Sequence, residues 1–584
     1  MKSEFRGWVL LAAVLYAVVF FTWTWPLGAH FTDAFPAMPH GDASIYVWNV
    51  WHFREAVLAG SNPFYTNWLL YPQGASLLMH AYVPIIGLFN LLIGQELLSI
   101  NLFMLGSYVL SGTGAYLLCR RWVRHPLLCW LAGLVFAYSP YKLLRLQGHY
   151  NLVLTATVPF YILAFLRAFE WEAGQLWPRV KSWPAVALCG GLGLLTLLSD
   201  YYVLFGLLYF SLAYALWFWL RLEHINWRRP RTWLWLAVGV AGSHFAIRLL
   251  RLAGPPDNGG FWWGGDVAGY LAPPAASRYL DFAWAQRLHS NPAVFNTPNS
   301  IENVMFLGYT LPLLGLLLVF WPGRAASARR LDAAGRPLAW VLLFFVLLTL
   351  PGLRIFGKNL LNLPTSILHF IPFFNNIRCP TRWVMVVGLL LPIVVFAALE
   401  AWWQPRLSRG LQWSLGLLLL GCVALEFWPQ SLPVYAATEL PAVYKAAARQ
   451  PGTTLLPLPV GLLDGHRQLG IVQPEIFFYQ TRHRKKLPAA YFSRIAQERF
   501  QEFEQDPVMR TVLALQQAPA DTLFAPPLPA QVAAFRRHFG ASMLVVHPDW
   551  RNGPAHRYLR LVFPDFVERT FPDGYVLLAP ATKN

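Results

Sequence analysis

From the N-terminus to about residue 430, the apolar residues fall in blocks of about 16–22. Each block is long enough to cross ~30 Å of hydrocarbon as a helix. Backbone polar groups find no water in lipid, so such blocks are restricted to structures that satisfy them internally. The whole chain is 56% hydrophobic and 13% charged, where a soluble domain carries roughly a quarter charged residues. The expected fold class is an α-helical polytopic membrane protein. Its membrane domain spans 1–430, and a mixed, Pro-rich texture marks a small soluble α/β domain over 431–584.

The first block, Trp8 to Leu27, follows Lys2 and Arg6 and is too aromatic for a cleaved leader. It reads as the first membrane helix. Further helices are expected near 97–119, 126–141, 150–168, 183–199, 201–220, 232–250, 303–322, 337–352, 383–401 and 410–428, about eleven in all. The stretch 80–94 is shorter and reads as interfacial or re-entrant. With the N-terminus in the cytoplasm, the inner connections 120–125, 169–182, 221–231, 323–336 and 402–409 hold most of the loop Arg and Lys, including Arg324, Arg329 and Arg330. This bias follows the positive-inside rule and places the C-terminal domain outside the cytoplasm. The expected location is the cell (inner) membrane. The net charge of +18 is thereby explained by topology, and no nucleic-acid partner is expected.

Three outer loops stand out by length, 28–96, 251–302 and 353–382. Long loops in compact proteins tend to carry function. The first reads His40-Gly41-Asp42-Ala43-Ser44-Ile45-Tyr46-Val47-Trp48 and continues through Asn62-Pro63-Phe64 to Tyr71-Pro72-Gln73-Gly74. A carboxylate at the bilayer surface among aromatics is costly without a partner. Asp42 therefore reads either as a general base or as the N-cap of the helix beginning at Ala43.

The other outer segments supply cations and further carboxylates. Lys142 and Arg145 precede Gly148-His149 and suit a phosphate, or contact with lipid headgroups. Arg378 and Arg382 flank Pro380 after Asn376 on the outer side, against the charge bias, and a phosphate clamp would explain them. Trp262-Trp263-Gly264-Gly265-Asp266 and Asn299-Ser300-Ile301-Glu302 pair aromatics with carboxylates, which suits sugar binding or interfacial anchoring. Asp200 reads as a turn residue that could face the same site. The five cysteines show no metal-ligand spacing, and no dinucleotide or P-loop motif is present.

The Gly41-Asp42, Trp48, Trp51, Asn62-Pro63-Phe64 and Tyr71-Pro72-Gln73-Gly74 run resembles bacterial membrane proteins placed near the GT-C glycosyltransferases. The resemblance covers about 1–430. It implies a GT-C-like membrane domain and inverting transfer of a sugar from a polyprenyl-phosphate donor to a glycan, lipid or protein acceptor on the outer face. Asp42 would be the general base. Arg378, Arg382, Lys142, Arg145, His149, Asp266 and Glu302 would bind substrate. Membrane lipid is the remaining partner. The paired acidic motif of many relatives is missing, so no metal ligand is assigned and no cofactor is required by the sequence, a divalent metal being unsupported. A transporter or lipid flippase is the main alternative, with a non-catalytic scaffold behind it. Polar groups at mid-membrane depth would mark the transporter, whereas the expected helices hold few mid-span charges, Arg248 near one helix end being the main one, and the polar residues crowd the outer rim.

Overall fold

The computed structural model describes residues 2–172, 175–253, 264–295, 300–320, 331–332, 335–371, 374 and 377–581. Trp262, Trp263, Asn299, Asn376, Arg324, Arg329 and Arg330 lie outside the described residues. The chain is mostly helical. It separates into two units, one of residues 1–28, 104–146 and 152–432, the other of 29–103, 147–151 and 433–584.

Seven helices are long and apolar enough to cross a bilayer: Arg6–Trp23, Glu96–Cys119, Pro126–Arg145, Tyr201–Trp219, Pro230–Leu252, Pro380–Trp403 and Arg409–Phe427. The chain is a multi-pass membrane protein. Shorter apolar helices occupy Thr157–Ala168, Trp183–Leu197, Thr310–Phe320 and Pro337–Thr349. At 1.5 Å per residue these four described stretches fall short of ~30 Å. Within the stretch 80–94, Pro84–Ile93 forms a short helix.

In the first unit, Pro126–Arg145 and Pro380–Trp403 are the inner helices, with 89% and 83% of their apolar windows buried. Pro230–Leu252 buries only 6% and leaves Trp235 and Leu249 exposed. Such a surface would drive association in water, whereas lipid tails solvate it. Close helix approach depends on small residues. A Cβ on Gly133 would lie 1.9 Å from Tyr16 Oη and 2.4 Å from the Gly112 carbonyl oxygen. Tyr16 donates to the Trp130 carbonyl at 2.7 Å, which satisfies its hydroxyl between the helices.

The second unit joins residues 29–103 and 147–151 to the C-terminal segment. Ala34–Pro36 pairs antiparallel with Val434–Ala436. The helix Ala43–Leu58 buries most of its length and packs on the helix Glu475–His483. Trp48 Nε1 donates to Gln480 Oε1 at 2.6 Å across that contact. The C-terminal strands form a four-stranded sheet in the order 566–570, 576–580, 543–546, 455–458. Only Met543–Val546 with Leu455–Leu458 is parallel in it. A smaller sheet sets Gly461–Leu463 between Gln468–Gly470 and Ala490–Tyr491.

Candidate active site

Asp42 stands at the N-terminus of the Ala43–Leu58 helix with φ −71° and ψ −9°. A capping residue usually has extended backbone, which swings its side chain back over the first turn. Asp42 is already helical in backbone, and its carboxylate makes no capping bond. The sharp turn before it falls at His40, which adopts φ 55°. Gly41 matters for space, because a Cβ there would come within 3.0 Å of the Met38 carbonyl oxygen.

The carboxylate meets two side chains from distant parts of the chain. Tyr491 donates its hydroxyl to Asp42 Oδ1 at 2.9 Å. His149 Nε2 lies 3.6 Å from Oδ2, and both side chains are partly exposed, at 20% and 31%. Tyr491 is presented by the short strand Ala490–Tyr491, which runs parallel to Gly461–Leu463. The next turn is pinned by the first loop: Ala81 N donates to Ser493 Oγ at 3.0 Å, and Ser493 N donates to His80 Nδ1 at 3.2 Å. Burial pushes the His80 imidazole down to about 3, so it stays neutral and keeps accepting. His149 is held by its neighbours. Met38 N donates to the Gln147 carbonyl at 3.0 Å, and Tyr46 donates to Asn151 Oδ1 at 2.5 Å.

The expected phosphate ligands of the first unit have internal partners. Glu302 accepts two bonds from Arg145, both 2.8 Å, and two from Arg382, at 2.7 and 3.2 Å. One buried carboxylate thus sits between two guanidinium forks, and the trio carries a net charge of one positive unit. Arg382 also covers the Tyr202 ring at 4.6 Å. Arg378 lies four residues before it, half-buried, with its main-chain N donating to the Tyr202 hydroxyl at 3.1 Å. Lys142 points elsewhere than Arg145. Its buried ammonium donates to Ser111 Oγ at 2.8 Å, Thr155 Oγ1 at 3.1 Å and Ser107 Oγ at 3.3 Å, and it lies 4.5 Å from the Tyr108 ring centre.

Asp266 is 1% exposed and ties two segments together. It caps Val267–Leu271 through Ala268 N at 2.8 Å and accepts from Phe356 N and Gly357 N at 3.0 and 2.7 Å. Asp200 caps Tyr201–Trp219 through Val203 N at 2.9 Å. Among the described residues, no three His, Cys, Asp or Glu side chains gather as a metal-binding set.

Residues 13–430 match a family described as a domain of unknown function, DUF6311. The chain belongs to this family. No functionally curated protein matches the sequence. Among solved structures, the archaeal oligosaccharyltransferase AglB from Archaeoglobus fulgidus, in complex with an inhibitory peptide and a dolichol-phosphate, aligns at 11% identity and a TM-score of 0.43. That alignment covers 99% of this chain and 74% of the other. The Archaeoglobus fulgidus oligosaccharyltransferase in complex with Zn and sulfate aligns at 13% identity and a TM-score of 0.42, over 98% and 73%. At this distance no activity is carried over from either.

In this DUF6311 protein the residue that sequence reading missed is Tyr491. It lies 449 positions from Asp42, in a segment with no motif of its own, so no local signal marks it.

Proposed function

We propose that this protein is a membrane glycosyltransferase that moves a sugar from a polyprenyl-phosphate donor to an acceptor on the outer face of the membrane, with inversion. The observation that carries this reading is the Asp42 carboxylate: partly exposed, released from capping, and oriented by the Tyr491 hydroxyl beside the His149 ring. A fixed, accessible carboxylate suits a general base. In the proposed step, Asp42 takes the proton of an acceptor hydroxyl as that oxygen bonds to the anomeric carbon. The bond from that carbon to the phosphate oxygen breaks, and its electron pair leaves with the lipid phosphate. Arg378 and the net positive Arg145–Glu302–Arg382 trio hold that phosphate and stabilise its charge. In the same reading, Lys142 and Asp266 hold their segments in place.

The topology that goes with this proposal has eleven crossings, a cytoplasmic N-terminus and the soluble α/β domain of 431–584 in the cell envelope, on the side where the acceptor binds. The supporting pattern is the excess of Arg and Lys in the alternate, inner connections.

Asp42→Asn tests the reading in proteoliposomes supplied with radiolabelled polyprenyl-phosphate sugars. The amide keeps the shape and loses the basicity, so transfer should fall by roughly 10²–10⁴-fold with expression intact. Full turnover by that variant would remove Asp42 from the chemistry. Arg378→Ala should raise the KM for the donor without abolishing turnover.

A further inference from the structure

A groove of about 450 Å³ lies between three helices of the first unit. Its walls are Leu117 of Glu96–Cys119, Phe160 and Leu163 of Thr157–Ala168, and Leu188 and Leu192 of Trp183–Leu197. Among the described lining residues Arg167 alone is charged, and it stands in the last turn of Thr157–Ala168. The packing around the groove is fixed at both ends of that helix. At its start, Thr196 donates to Thr157 Oγ1 at 2.7 Å, and a Cβ on Gly114 would lie 2.7 Å from Pro159 Cγ. Past its end, Phe169–Glu170 pairs antiparallel with Arg179–Val180. The groove is therefore preformed, and Leu188, at 50% exposure, marks its open side.

The hairpin after Arg167 sets the depth of the groove in the bilayer. Trp177 and Trp183, 76% and 71% exposed, flank Arg179–Val180, and indole rings settle at headgroup level. From that level the groove follows Arg167 back to Phe160, about 10 Å into the hydrocarbon at 1.5 Å per residue. Apolar walls at that depth suit an acyl chain and give a polar solute nothing to bond. The cations of the flanking connections are engaged. Arg120 donates to the Arg124 carbonyl, Arg121 pairs with Asp332 at 3.3 Å, and Lys181 pairs with Glu170 at 3.3 Å. Arg167 is exposed and makes no hydrogen bond or ion pair with any described residue. An unpaired guanidinium at the mouth of an apolar groove complements a lipid phosphate, and its long stem lets it reach the headgroup layer. A helix from a second copy of the chain would fill the groove but bury that guanidinium without a counter-charge, which is costly. The charge pattern of the loops expects the connection 169–182 on the cytoplasmic side, where the leaflet surface is anionic and basic pockets between helices take acidic headgroups.

We infer that this groove is a binding site for an anionic phospholipid. One acyl chain lies along Phe160, Leu163 and Leu192, and the phosphate bonds to Arg167. The site uses no residue of the Asp42 or Glu302 clusters, so it stands apart from the sugar-transfer proposal.

The test is native mass spectrometry of the full chain, stripped of lipid in detergent and titrated with dioleoyl phosphatidylglycerol or dioleoyl phosphatidylcholine. The first phosphatidylglycerol should bind about fivefold more tightly than the first phosphatidylcholine. Arg167→Gln should erase that preference and leave phosphatidylcholine binding unchanged, while Arg167→Lys should keep most of it. Leu188→Trp, which crowds the groove, should weaken both lipids by about fivefold or more. Arg179→Gln removes an exposed cation that does not line the groove, and it should lose less than half of what Arg167→Gln loses. Arg167 and Leu188 are both exposed, and Arg167→Lys keeps stem and charge, so a loss confined to Arg167→Gln is not a loss of fold. Equal affinity for the two lipids in wild type overturns the inference. So does a preference that survives Arg167→Gln, or phosphatidylglycerol binding unmoved by Leu188→Trp. Equal losses in Arg167→Gln and Arg179→Gln would reduce the site to diffuse surface charge. A dimer that Leu188→Trp dissociates would place a second copy in the groove in place of lipid.

Discussion

Glu302→Gln should cost the folded protein about 3–5 kcal/mol, the range for breaking a buried ion pair by removing one partner. The carboxylate is 5% exposed in its side chain, and its two guanidinium neighbours are 1% and 13% exposed. Four nitrogen–oxygen contacts of 2.7–3.2 Å converge on it. The amide keeps one acceptor oxygen and turns its NH2 toward donors that already point at it. Two buried guanidiniums then face each other without a counter-charge. The damage is therefore electrostatic, and a second substitution should repair part of it. Glu302→Gln with Arg382→Met removes one unpaired cation, and the pair should recover ~1–3 kcal/mol relative to the sum of the single effects. Equilibrium unfolding in mixed micelles, following tryptophan fluorescence against SDS fraction, gives the four corners of that cycle. A loss below ~1 kcal/mol for Glu302→Gln, or strictly additive effects in the double variant, would refute the view that this carboxylate neutralises the two arginines.

Tyr491→Phe should lower sugar transfer by roughly 10–150-fold, because a hydrogen bond to a charged acceptor contributes about 1.5–3 kcal/mol; unchanged transfer rates would show that the phenol does not orient Asp42. Acidification should destabilise the second unit. Burial lowers His80 and His483 to about 3, and each accepts a main-chain N–H at Nδ1. Unfolded, each titrates near 6.5. Below that pH the unfolded chain takes up protons that the folded chain refuses. Stability is thus complete above about pH 6.5 and falls toward pH 3 by up to ~1.4 kcal/mol per pH unit per histidine. Melting curves that stay flat from pH 7 to 4, in wild type and in His80→Asn alike, would contradict this. Gly133→Ala should destabilise the first unit by about 1–3 kcal/mol through overpacking against Tyr16 and the Gly112 carbonyl. A melting temperature equal to that of wild type would mean the helices separate at no cost.

How much of this was legible beforehand depended on the range of the interaction. Hydrophobic block length is a local property, and the helices Tyr201–Trp219, Pro380–Trp403 and Arg409–Phe427 fall where the sequence expects spans. Short apolar runs likewise form the strands Leu455–Leu458, Met543–Val546 and Val576–Pro580. The short helices were less predictable, since apolar runs interrupted by Pro or Gly carry the same composition whether or not the helix continues. Thr157–Ala168 is such a case.

By itself the sequence determined the membrane character of the chain, the position of Asp42 at a helix start, and the charge asymmetry of its loops, because hydropathy and charge act residue by residue along the polymer. What each ionisable group does was decided by tertiary structure. A helical φ and ψ at Asp42 freed its carboxylate from capping, and packing brought it Tyr491 from 449 positions away and His149 from another segment of the chain. Glu302 was equally ambiguous in sequence until Arg145 and Arg382, 157 and 80 positions distant, closed on it. Coulomb and hydrogen-bond energies depend on separation in space over a few ångströms, and separation along the chain says nothing about that until the chain has folded.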